Sequence, residues 1–504
     1  MIFSTPAAFV ALGVFALHLA ANRGYGYFRD ELYYLACADH LDFGYVDHPP
    51  LSIAILWVVR GVLGDSLSAL RLVPALCGAL TVLLAGLMAR KLGGGRFAQL
   101  LAALAVAIGP GHLAVTNFYS MNAIDLLVWA GAVYVFMSIV GGSTRLRYWV
   151  ALGVVLGLGL ENKVSVLWLG AGLAVGLLVA HRRLLLTAGP WVAALIAALL
   201  FIPHVIWQIR HDWPTVEFVR NATGLKMTDV SPWQFFVDQL MAMHPLKLPM
   251  SLAGLWWLLR SDDGRPWRAV AWTFLIPLAI LLASGTSRAY YLGPAYPIVF
   301  AAGAVAIARW TQDAKAMRLR PVLAGLLLAG GAATAPMVLP LVPVDRFVAY
   351  SAAIGITPRA EERGEAGPLP QYFADMFGWP EMVDEVAKVY DALPPEDRAR
   401  AVIYTDNYGR AAAVDFFGRT RGLPRAVSGH NSYFLWGPRG GTGEVMILIG
   451  GDLDDHIGDF ETVQPVTVVR CRYCMPYEDN VTIFIGRGMK MPLPELWPSV
   501  KRYI

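Results

Sequence analysis

Charge is scarce in this chain, and its scarcity excludes most classes of soluble protein. Lys, Arg, Asp and Glu make up 15% of the 504 residues, whereas soluble proteins carry roughly 25%. The formal net charge is only +4 and the basic residues are dispersed, so we predict no nucleic-acid partner. Hydrophobic residues make up 56%. They form recurring stretches of about 20 residues, the length that crosses a bilayer as a helix.

Cysteines and targeting signals are also scarce. None of the four cysteine positions has the spacing of a paired-knuckle zinc site. We predict a structural disulfide between Cys471 and Cys474, because the topology derived below places them in an oxidising compartment; two free thiols beside a strand are the alternative. No basic stretch precedes the first apolar run, which we interpret as a retained membrane helix rather than a cleaved signal.

Eleven apolar segments are predicted to span the membrane. The run at 51–64 is not counted, because fourteen residues that include Arg60 suit a helix lying in the interface. With a cytoplasmic N-terminus, eleven spans place every basic loop cluster in the cytoplasm, as the positive-inside rule requires. The spans lie at about 4–22, 68–89, 97–116, 122–140, 148–160, 164–180, 184–208, 246–259, 269–283, 290–308 and 321–343.

This topology predicts a multi-pass protein of the inner (plasma) membrane with an extracytoplasmic C-terminal domain. We place the domain boundary between a transmembrane catalytic domain, 1–343, and an α/β domain, 344–504, where apolar runs shorten and charges become more frequent. An amphipathic helix is predicted at 380–393. Short β-branched runs predict strands at 401–405, 444–450, 466–469 and 481–486.

The first outer loop contains an Asp30-Glu31 pair just after the first span. A carboxylate at the edge of a low-dielectric region is suited to act as a general base. The alternative is structural, since acids in the first turn of a helix favour its dipole and cap its free amides.

The same loop ends in the motif GYVDHPPL. Asp47 is a candidate ligand for a divalent cation, and His48 is a candidate contact for phosphate or metal. The two prolines fix an extended approach to the interfacial helix, so a capped helix start with a solvated Asp is the alternative. His244, in a later outer segment, is a second candidate metal ligand.

Cations at two other outer helix ends are candidates for binding a lipid phosphate. Lys163 lies between two apolar runs, where it provides a point charge for phosphate or extends outward to water. Arg288 precedes Tyr290 and Tyr291. This group has the same two interpretations, a phosphate contact or an aromatic belt at the interface.

The order of these motifs resembles a known family. Asp30-Glu31, Asp-His-Pro-Pro-Leu, an interfacial helix ending in GDSLSALR, then Asp125, Lys163 and RAYYLGPAYP follow one another here. They occur in that order in the PMT/ArnT-like glycosyltransferases of family 39. The resemblance covers about residues 20–300, and the tail is similar to the extracytoplasmic domain of bacterial members.

The resemblance implies a GT-C fold of about eleven transmembrane helices with interfacial helices in the first outer loop, followed by the α/β domain. It also implies transfer of a monosaccharide from a polyprenyl-phosphate donor to a glycolipid, a cell-wall glycan or a protein hydroxyl. Membrane lipid is a further partner, and a divalent metal is the cofactor to consider. If the base is Asp30 and attack is in line, the anomeric configuration inverts.

The resemblance also implies a role for each matched residue. Asp30 aligns with the catalytic Asp, and Glu31 completes the pair. Asp47 aligns with an acid that binds metal in some members, Asp125 with the acid of the second outer loop, and Lys163 with the lysine on the donor phosphate. The chain departs from the aminoarabinose transferases at two places. Tyr33 and His48 stand where those enzymes carry arginine and lysine.

Two alternatives remain from the sequence. A polytopic lipid or solute transporter (a flippase, for example) with a soluble outer domain would also have many spans and buried charges. Transport sites lie near the midplane between broken helices, however, whereas the charged residues here cluster at outer helix ends. The other alternative is an assembly protein that binds a partner through its tail.

Overall fold

Long apolar stretches of the chain form helices, and short β-branched stretches form one small sheet. The computed structural model describes residues 5–22, 24–143, 145–356, 358 and 365–504. Contacts divide them into two units. The membrane unit contains the residues up to Gly24, Leu63–Ile206 and Asp229–Phe347; the α/β unit contains Tyr25–Val62, Trp207–Thr228 and Val348–Ile504. The predicted boundary near residue 344 stays a prediction.

The first eighteen helices occur before residue 357. They are α1 (Pro6–Ala21), α2 (Arg29–Ala38), α3 (Leu51–Leu63), α4 (Leu67–Leu70), α5 (Leu72–Lys91), α6 (Arg96–Ala107), α7 (Pro110–Val115), α8 (Met121–Val140), α9 (Leu146–Leu160), α10 (Val166–Ala180), α11 (Ala188–Arg210), α12 (Pro214–Asn221), α13 (Pro232–Met243), α14 (Leu248–Arg260), α15 (Arg268–Ser284), α16 (Tyr296–Trp310), α17 (Leu319–Val338) and α18 (Val344–Ala353).

In the described part of the chain, six helical segments are long and apolar enough to cross a membrane. Helices α1, α3, α6, α9 and α10 are apolar but shorter. The count of eleven spans therefore stays a prediction. The six long segments are Leu67–Lys91, Met121–Val140, Ala188–Arg210, Arg265–Ser284, Ala289–Trp310 and Ala316–Val338.

One predicted span is wrong in its extent. The segment 97–116 is not one continuous helix, because α6 ends at Ala107 and α7 begins at Pro110. Proline lacks the amide that would continue the first helix, and its ring disfavours helical geometry in the residue before it.

Small residues allow the helices of the membrane unit to approach closely. Gly254 on α14 and Gly303 on α16 face one another's backbones, and a Cβ added at either would collide with a carbonyl oxygen of the opposite helix. Such close contacts increase the van der Waals attraction between the two helices. This attraction is important in a membrane, because the hydrophobic effect does not drive helices together in lipid. Substituting either glycine would separate the two helices.

The α/β unit contains the remaining elements. Its helices are α19 (Gln371–Ala374), α20 (Trp379–Asp391), α21 (Pro395–Arg398), α22 (Tyr408–Phe417), α23 (Ser432–Leu435), α24 (Leu453–His456) and α25 (Leu493–Leu496). Its strands are β1 (Ala401–Thr405), β2 (Val445–Ile449), β3 (Phe460–Val469) and β4 (Val481–Met489).

The sheet has the strand order β1-β2-β4-β3. Strands β1 and β2 run parallel, and the other pairs are antiparallel. All five residues of β2 are buried, as expected of a central strand covered on both faces. The four predicted strands and the helix near 380–393 are confirmed, although β3 begins six residues earlier than predicted, at Phe460.

The predicted disulfide is wrong. Cys471 and Cys474 are free thiols. The Cys474 Sγ lies 3.1 Å from the Cys471 carbonyl oxygen and donates to it. The tight turn between them thus directs the Cys474 thiol at the backbone. The structure agrees with the alternative of two free thiols beside a strand.

The first outer loop belongs to the α/β unit. Its helix α2 packs against α22 of the C-terminal segment. Contacts between parts of the chain almost 400 residues apart therefore determine which side chains surround the predicted catalytic pair.

Candidate active site

Glu31 acts as a cap on helix α2. It occupies the third position of the helix and is fully buried. Its Oε2 accepts the backbone amide of Phe28 at 2.9 Å, which satisfies one of the free donors at the helix start. The structural interpretation of the acidic pair therefore applies to Glu31, and its predicted part in catalysis stays a prediction.

Asp30 has a different environment from its neighbour. Its side chain is 34% exposed and lies 3.5 Å from the guanidinium of Arg29. The Tyr408 hydroxyl donates to its Oδ1 at 2.9 Å. The carboxylate is thus held in place while remaining accessible, as a general base must be. Its catalytic role stays a prediction.

Arg29 is a buried cation beside Asp30. It lies 3.6 Å from Asp375 and donates to the Tyr477 hydroxyl at 2.8 Å. Burial by itself lowers the pKa of Arg29, but Asp375 and the neighbouring groups outweigh it and raise the pKa well above its ordinary value. Arg29 therefore stays charged beside the Asp30 carboxylate.

Asp47 lies in a second hydrogen-bonded group of the same unit. The Tyr33 hydroxyl donates to its Oδ1 at 2.9 Å and lies 2.8 Å from the Ser432 hydroxyl. Burial raises the pKa of Asp47, while His48 and the Tyr33 hydroxyl oppose the rise. Tyr33, one of the departures from the family pattern, is thus the residue that orients this acid.

His48, the other departure, is buried among tyrosines. Its ring centroid lies 4.6 Å from that of Tyr34 and 4.9 Å from that of Tyr45. Its Nδ1 is 3.0 Å from the Pro49 carbonyl oxygen, a contact that requires the proton on Nδ1. The Nε2 atom lies 3.9 Å from Asp47 Oδ1.

The candidate metal ligands do not form a metal site by themselves. Within the described residues, no three His, Cys, Asp or Glu side chains come together in a way that would hold an ion. Asp47 and His48 supply two donors, fewer than a protein-held metal needs. His244 belongs to the membrane unit, where its Nδ1 accepts the Leu246 amide. The divalent metal therefore stays a prediction.

Lys163 lies in a polar cluster of the membrane unit, in the turn between α9 and α10. Its Nζ donates to Asn122 Oδ1 at 2.7 Å and lies 3.7 Å from Asp125 Oδ2. Ser165 donates to the same carboxylate oxygen at 3.1 Å. The Lys163 side chain is only 13% exposed, which disfavours the alternative in which it extends outward to water.

Asp125 is the counter-ion of Lys163. Its side chain is 2% exposed, so it is less accessible than a general acid or base should be. Burial lowers the pKa of Lys163, and the Asp125 carboxylate opposes that change. Asp125 therefore favours the charged form of Lys163 and holds it in place, and its own predicted catalytic role stays a prediction.

Aromatic rings complete the lysine cluster. The Nζ of Lys163 lies 5.3 Å from the ring centroid of Tyr291 and 5.9 Å from that of Tyr290, within cation–π range. Arg288 is half-buried at the start of the same segment. The structure thus brings Lys163, Asp125 and the two tyrosines together.

The known proteins described next, to which this chain is similar, are sugar transferases by name. The model of a family described as dolichyl-phosphate-mannose-protein mannosyltransferase matches residues 47–207. The lipid A galacturonosyltransferase RgtD of Rhizobium johnstonii is 24% identical over 276 residues, 52% of this chain and 56% of that protein. The undecaprenyl phosphate-α-4-amino-4-deoxy-L-arabinose arabinosyl transferase 2 of Pseudomonas fluorescens is 26% identical over 336 residues, 61% of this chain and 57% of that protein. The matches thus span little more than half of these relatives.

Solved structures extend the likeness to nearly the whole chain. ArnT from Cupriavidus metallidurans, bound to undecaprenyl phosphate, superposes with a TM-score of 0.62 at 15% identity, covering 95% of this chain and 97% of that one. The chain therefore has the GT-C fold. An oligosaccharyltransferase from Archaeoglobus fulgidus has a TM-score of 0.50 at 12% identity, over 81% of this chain and 63% of that one.

The predicted resemblance to the PMT/ArnT-like glycosyltransferases and the predicted fold class are therefore confirmed, and the chain is a multi-pass membrane protein. Sequence reasoning missed three residues that contact predicted site side chains, namely Tyr408, Asn122 and Ser165. It also missed Ser432, which contacts Tyr33. Nothing in the spacing of the motifs links Tyr408 to Asp30. Ser165 could have been found from the sequence, because it lies only two residues after Lys163.

Glu161 is a further missed residue of the lysine turn, and it predicts a pH effect on stability. Burial raises its pKa to about 7, although a hydrogen bond with the His204 backbone opposes the shift. The folded state then holds a proton that the unfolded state releases near the ordinary pKa of 4.5. Stability should therefore fall as pH rises from about 4.5 to 7 and level off above.

The Glu161→Gln variant tests this prediction. It removes the titrating group but keeps the shape of the side chain. We expect the unfolding temperature of the variant to change less with pH between 5 and 8 than that of the wild type. Identical pH profiles for the two proteins would contradict the assignment.

Proposed function

We propose that this protein is a membrane glycosyltransferase that transfers a monosaccharide from a polyprenyl-phosphate donor to an acceptor hydroxyl. The observation that carries the proposal is the accessible Asp30 carboxylate, fixed by Tyr408 beside the buried cation Arg29. The names of the curated relatives, a galacturonosyltransferase and arabinosyl transferases, support the same class of reaction.

In the proposed step Asp30 removes the proton of the acceptor hydroxyl. The acceptor oxygen attacks the anomeric carbon, and the bond from that carbon to the phosphate oxygen breaks. The lipid phosphate leaves with the electron pair of that bond. Attack opposite to the leaving group inverts the configuration at the anomeric carbon.

Lys163 is proposed to bind the donor phosphate. It is a buried cation, fixed by Asp125 and Asn122. Cations placed where negative charge develops stabilise the transition state without having to reorganise. The relatives whose names include undecaprenyl phosphate, and the ArnT structure bound to it, support a polyprenyl-phosphate donor.

The acceptor is proposed to be a glycolipid, a cell-wall glycan or a hydroxyl of an exported protein. The name of RgtD, a lipid A galacturonosyltransferase, favours the glycolipid. Purified protein should be mixed with isotope-labelled undecaprenyl-phosphate sugars and each acceptor class in turn. Label appearing on an acceptor supports the proposal. Movement of the labelled donor across vesicles without transfer would instead indicate a transporter.

Tyr408 is a positioning residue in the proposed reaction. A hydrogen bond to a charged group is worth roughly 1.5–3 kcal/mol, and 1.4 kcal/mol corresponds to about tenfold in rate. We therefore expect Tyr408→Phe to lower the transfer rate at saturating substrates about tenfold. Tyr390→Phe is the control, because that hydroxyl lies 3.3 Å from a backbone carbonyl, Arg398 O. Equal rates for the two variants would refute the positioning role.

We further propose that the protein resides in the bacterial inner membrane with residues 344–504 outside the cytoplasm. The distribution of basic loops supports this orientation. A reporter fused to the C-terminus that is active only outside the cytoplasm should be active. Activity of a reporter restricted to the cytoplasm would overturn the topology and the proposed roles that depend on it.

A further inference from the structure

Three arginines of the α/β unit converge on one carboxylate, that of Asp39 at the end of helix α2. Arg60 Nη1 lies 2.9 Å from Asp39 Oδ1, and it also donates to the Leu35 carbonyl oxygen at 2.9 Å. Arg425 lies 3.4 Å from Asp39 Oδ2, and Arg419 contacts the same oxygen. We call Asp39, Arg60, Arg419 and Arg425 the arginine cluster.

The arginine cluster has more positive than negative charge. One carboxylate faces three guanidinium groups, which leaves two charges in excess among these four residues. Arg60 is largely buried, but Arg419 and Arg425 are 41% and 48% exposed. Each guanidinium has five donors in a planar fork, so the exposed pair still has donors for an anion. Phosphate oxygens match that fork geometry.

An apolar surface adjoins the arginine cluster through helix α3. Ser52, Ile53 and Leu56 are buried on one face, and Arg60 lies one turn after Leu56 on the same face. The other faces of the helix expose large apolar side chains to the surroundings, namely Trp57, Val58 and Val62. An amphipathic helix of this kind lies in the boundary region of a bilayer with its apolar face in the acyl chains.

The combination of excess positive charge and an exposed apolar helix favours one kind of ligand. A free phosphate ion would leave the apolar face of α3 uncovered, and an acidic peptide has no acyl chain that could cover it. Anionic lipids carry both parts, and they attract basic residues near the membrane surface by about 1 kcal/mol each. We propose that Arg60, Arg419 and Arg425 bind the headgroup phosphate of an anionic membrane lipid whose acyl chains lie along α3.

This site is separate from the proposed reaction. It uses none of the residues assigned to the acid, the donor phosphate or their positioning. Its function is to fasten the α/β unit to the membrane surface, and it would do so whether or not the protein transfers sugar. Failure of the lipid experiment below would therefore leave the proposed transfer intact.

The test uses the full-length protein, stripped of lipid in neutral detergent. Dioleoyl phosphatidylglycerol or zwitterionic dioleoyl phosphatidylcholine is added, and retained lipid is measured by native mass spectrometry. We expect the wild type to retain phosphatidylglycerol preferentially. In the variant Arg419→Gln/Arg425→Gln, we expect retention to weaken roughly 10- to 30-fold. Inorganic phosphate at millimolar concentration should not displace the lipid.

A matched control removes the same charge elsewhere in the unit. Arg400 and Arg487 are 52% and 39% exposed and pair with Glu444 and Asp397. Arg400→Gln/Arg487→Gln should retain phosphatidylglycerol like the wild type. Equal losses in both double variants would reduce the effect to overall charge and overturn the proposal. Wild-type retention by the Arg419/Arg425 variant, or full displacement by inorganic phosphate, would also overturn it.

A second variant keeps the proposal testable if the double variant fails to fold. Trp57→Ser changes an exposed side chain of α3 and leaves the ion pairs of Asp39 in place. It should weaken retention of phosphatidylglycerol while the unfolding temperature stays near that of the wild type. Unchanged retention in Trp57→Ser would show that α3 does not contact the acyl chains, and the proposal would fall.

Discussion

Replacing Asp30 with Asn is expected to lower the rate of sugar transfer by ~10²–10⁴-fold, the contribution of a positioned general base. The substitution preserves the size of the side chain and a carbonyl oxygen that can still accept from Tyr408, whose hydroxyl lies 2.9 Å from Asp30 Oδ1. It removes the basic carboxylate that takes the acceptor proton. The protein should therefore fold and insert as the wild type does, and only the rate should fall.

The measurement is single-turnover transfer of labelled sugar by purified protein, with membrane abundance as a check on folding. Asp42→Asn is the control, because this acid lies in the same loop, is exposed, and uses its carboxylate to accept the Phe43 amide at 2.7 Å. It should transfer at close to the wild-type rate. Wild-type activity in Asp30→Asn at normal abundance would mean that Asp30 serves the helix start, as Glu31 does, and that the catalytic base lies elsewhere.

Replacing Lys163 with Met is expected to have two effects that a second substitution can separate. Loss of a charged hydrogen bond to the donor phosphate should weaken use of the donor by about 10- to 100-fold. In addition, the buried Asp125, 3.7 Å away, would lose its counter-ion. Breaking a buried pair by removing one partner costs about 3–5 kcal/mol of stability.

The double variant Lys163→Met/Asp125→Asn removes both charges together. We expect it to recover most of the lost stability, measured by thermal unfolding, and none of the lost donor use, measured as the donor KM. Lys91→Met is a matched control, since that lysine also lies over a tyrosine ring, that of Tyr134, at 3.9 Å. Recovery of donor use in the double variant would show that Lys163 only neutralises Asp125 and does not bind phosphate.

The linear pattern of the chain by itself determined the class of the protein. Apolar runs of about 20 residues predicted a polytopic membrane protein, because the thickness of a bilayer sets the length of its helices. Short β-branched runs predicted the strands of the tail, β1 at Ala401–Thr405 among them. The order of short motifs, from Asp30-Glu31 to Lys163, indicated a resemblance to one family, and the comparisons then confirmed that resemblance.

Tertiary structure alone decided what the individual residues of those motifs do. Two adjacent acids in the sequence make different contacts. Glu31 accepts a hydrogen bond from the Phe28 amide, whereas Asp30 accepts one from Tyr408, 378 residues further along the chain. Likewise Asp39 meets Arg419 and Arg425 only because α2 packs against α22. Helix and strand periodicity is a local property that shows which face of an element is apolar. Which distant side chain meets that element depends on how whole elements pack, and no local pattern encodes it.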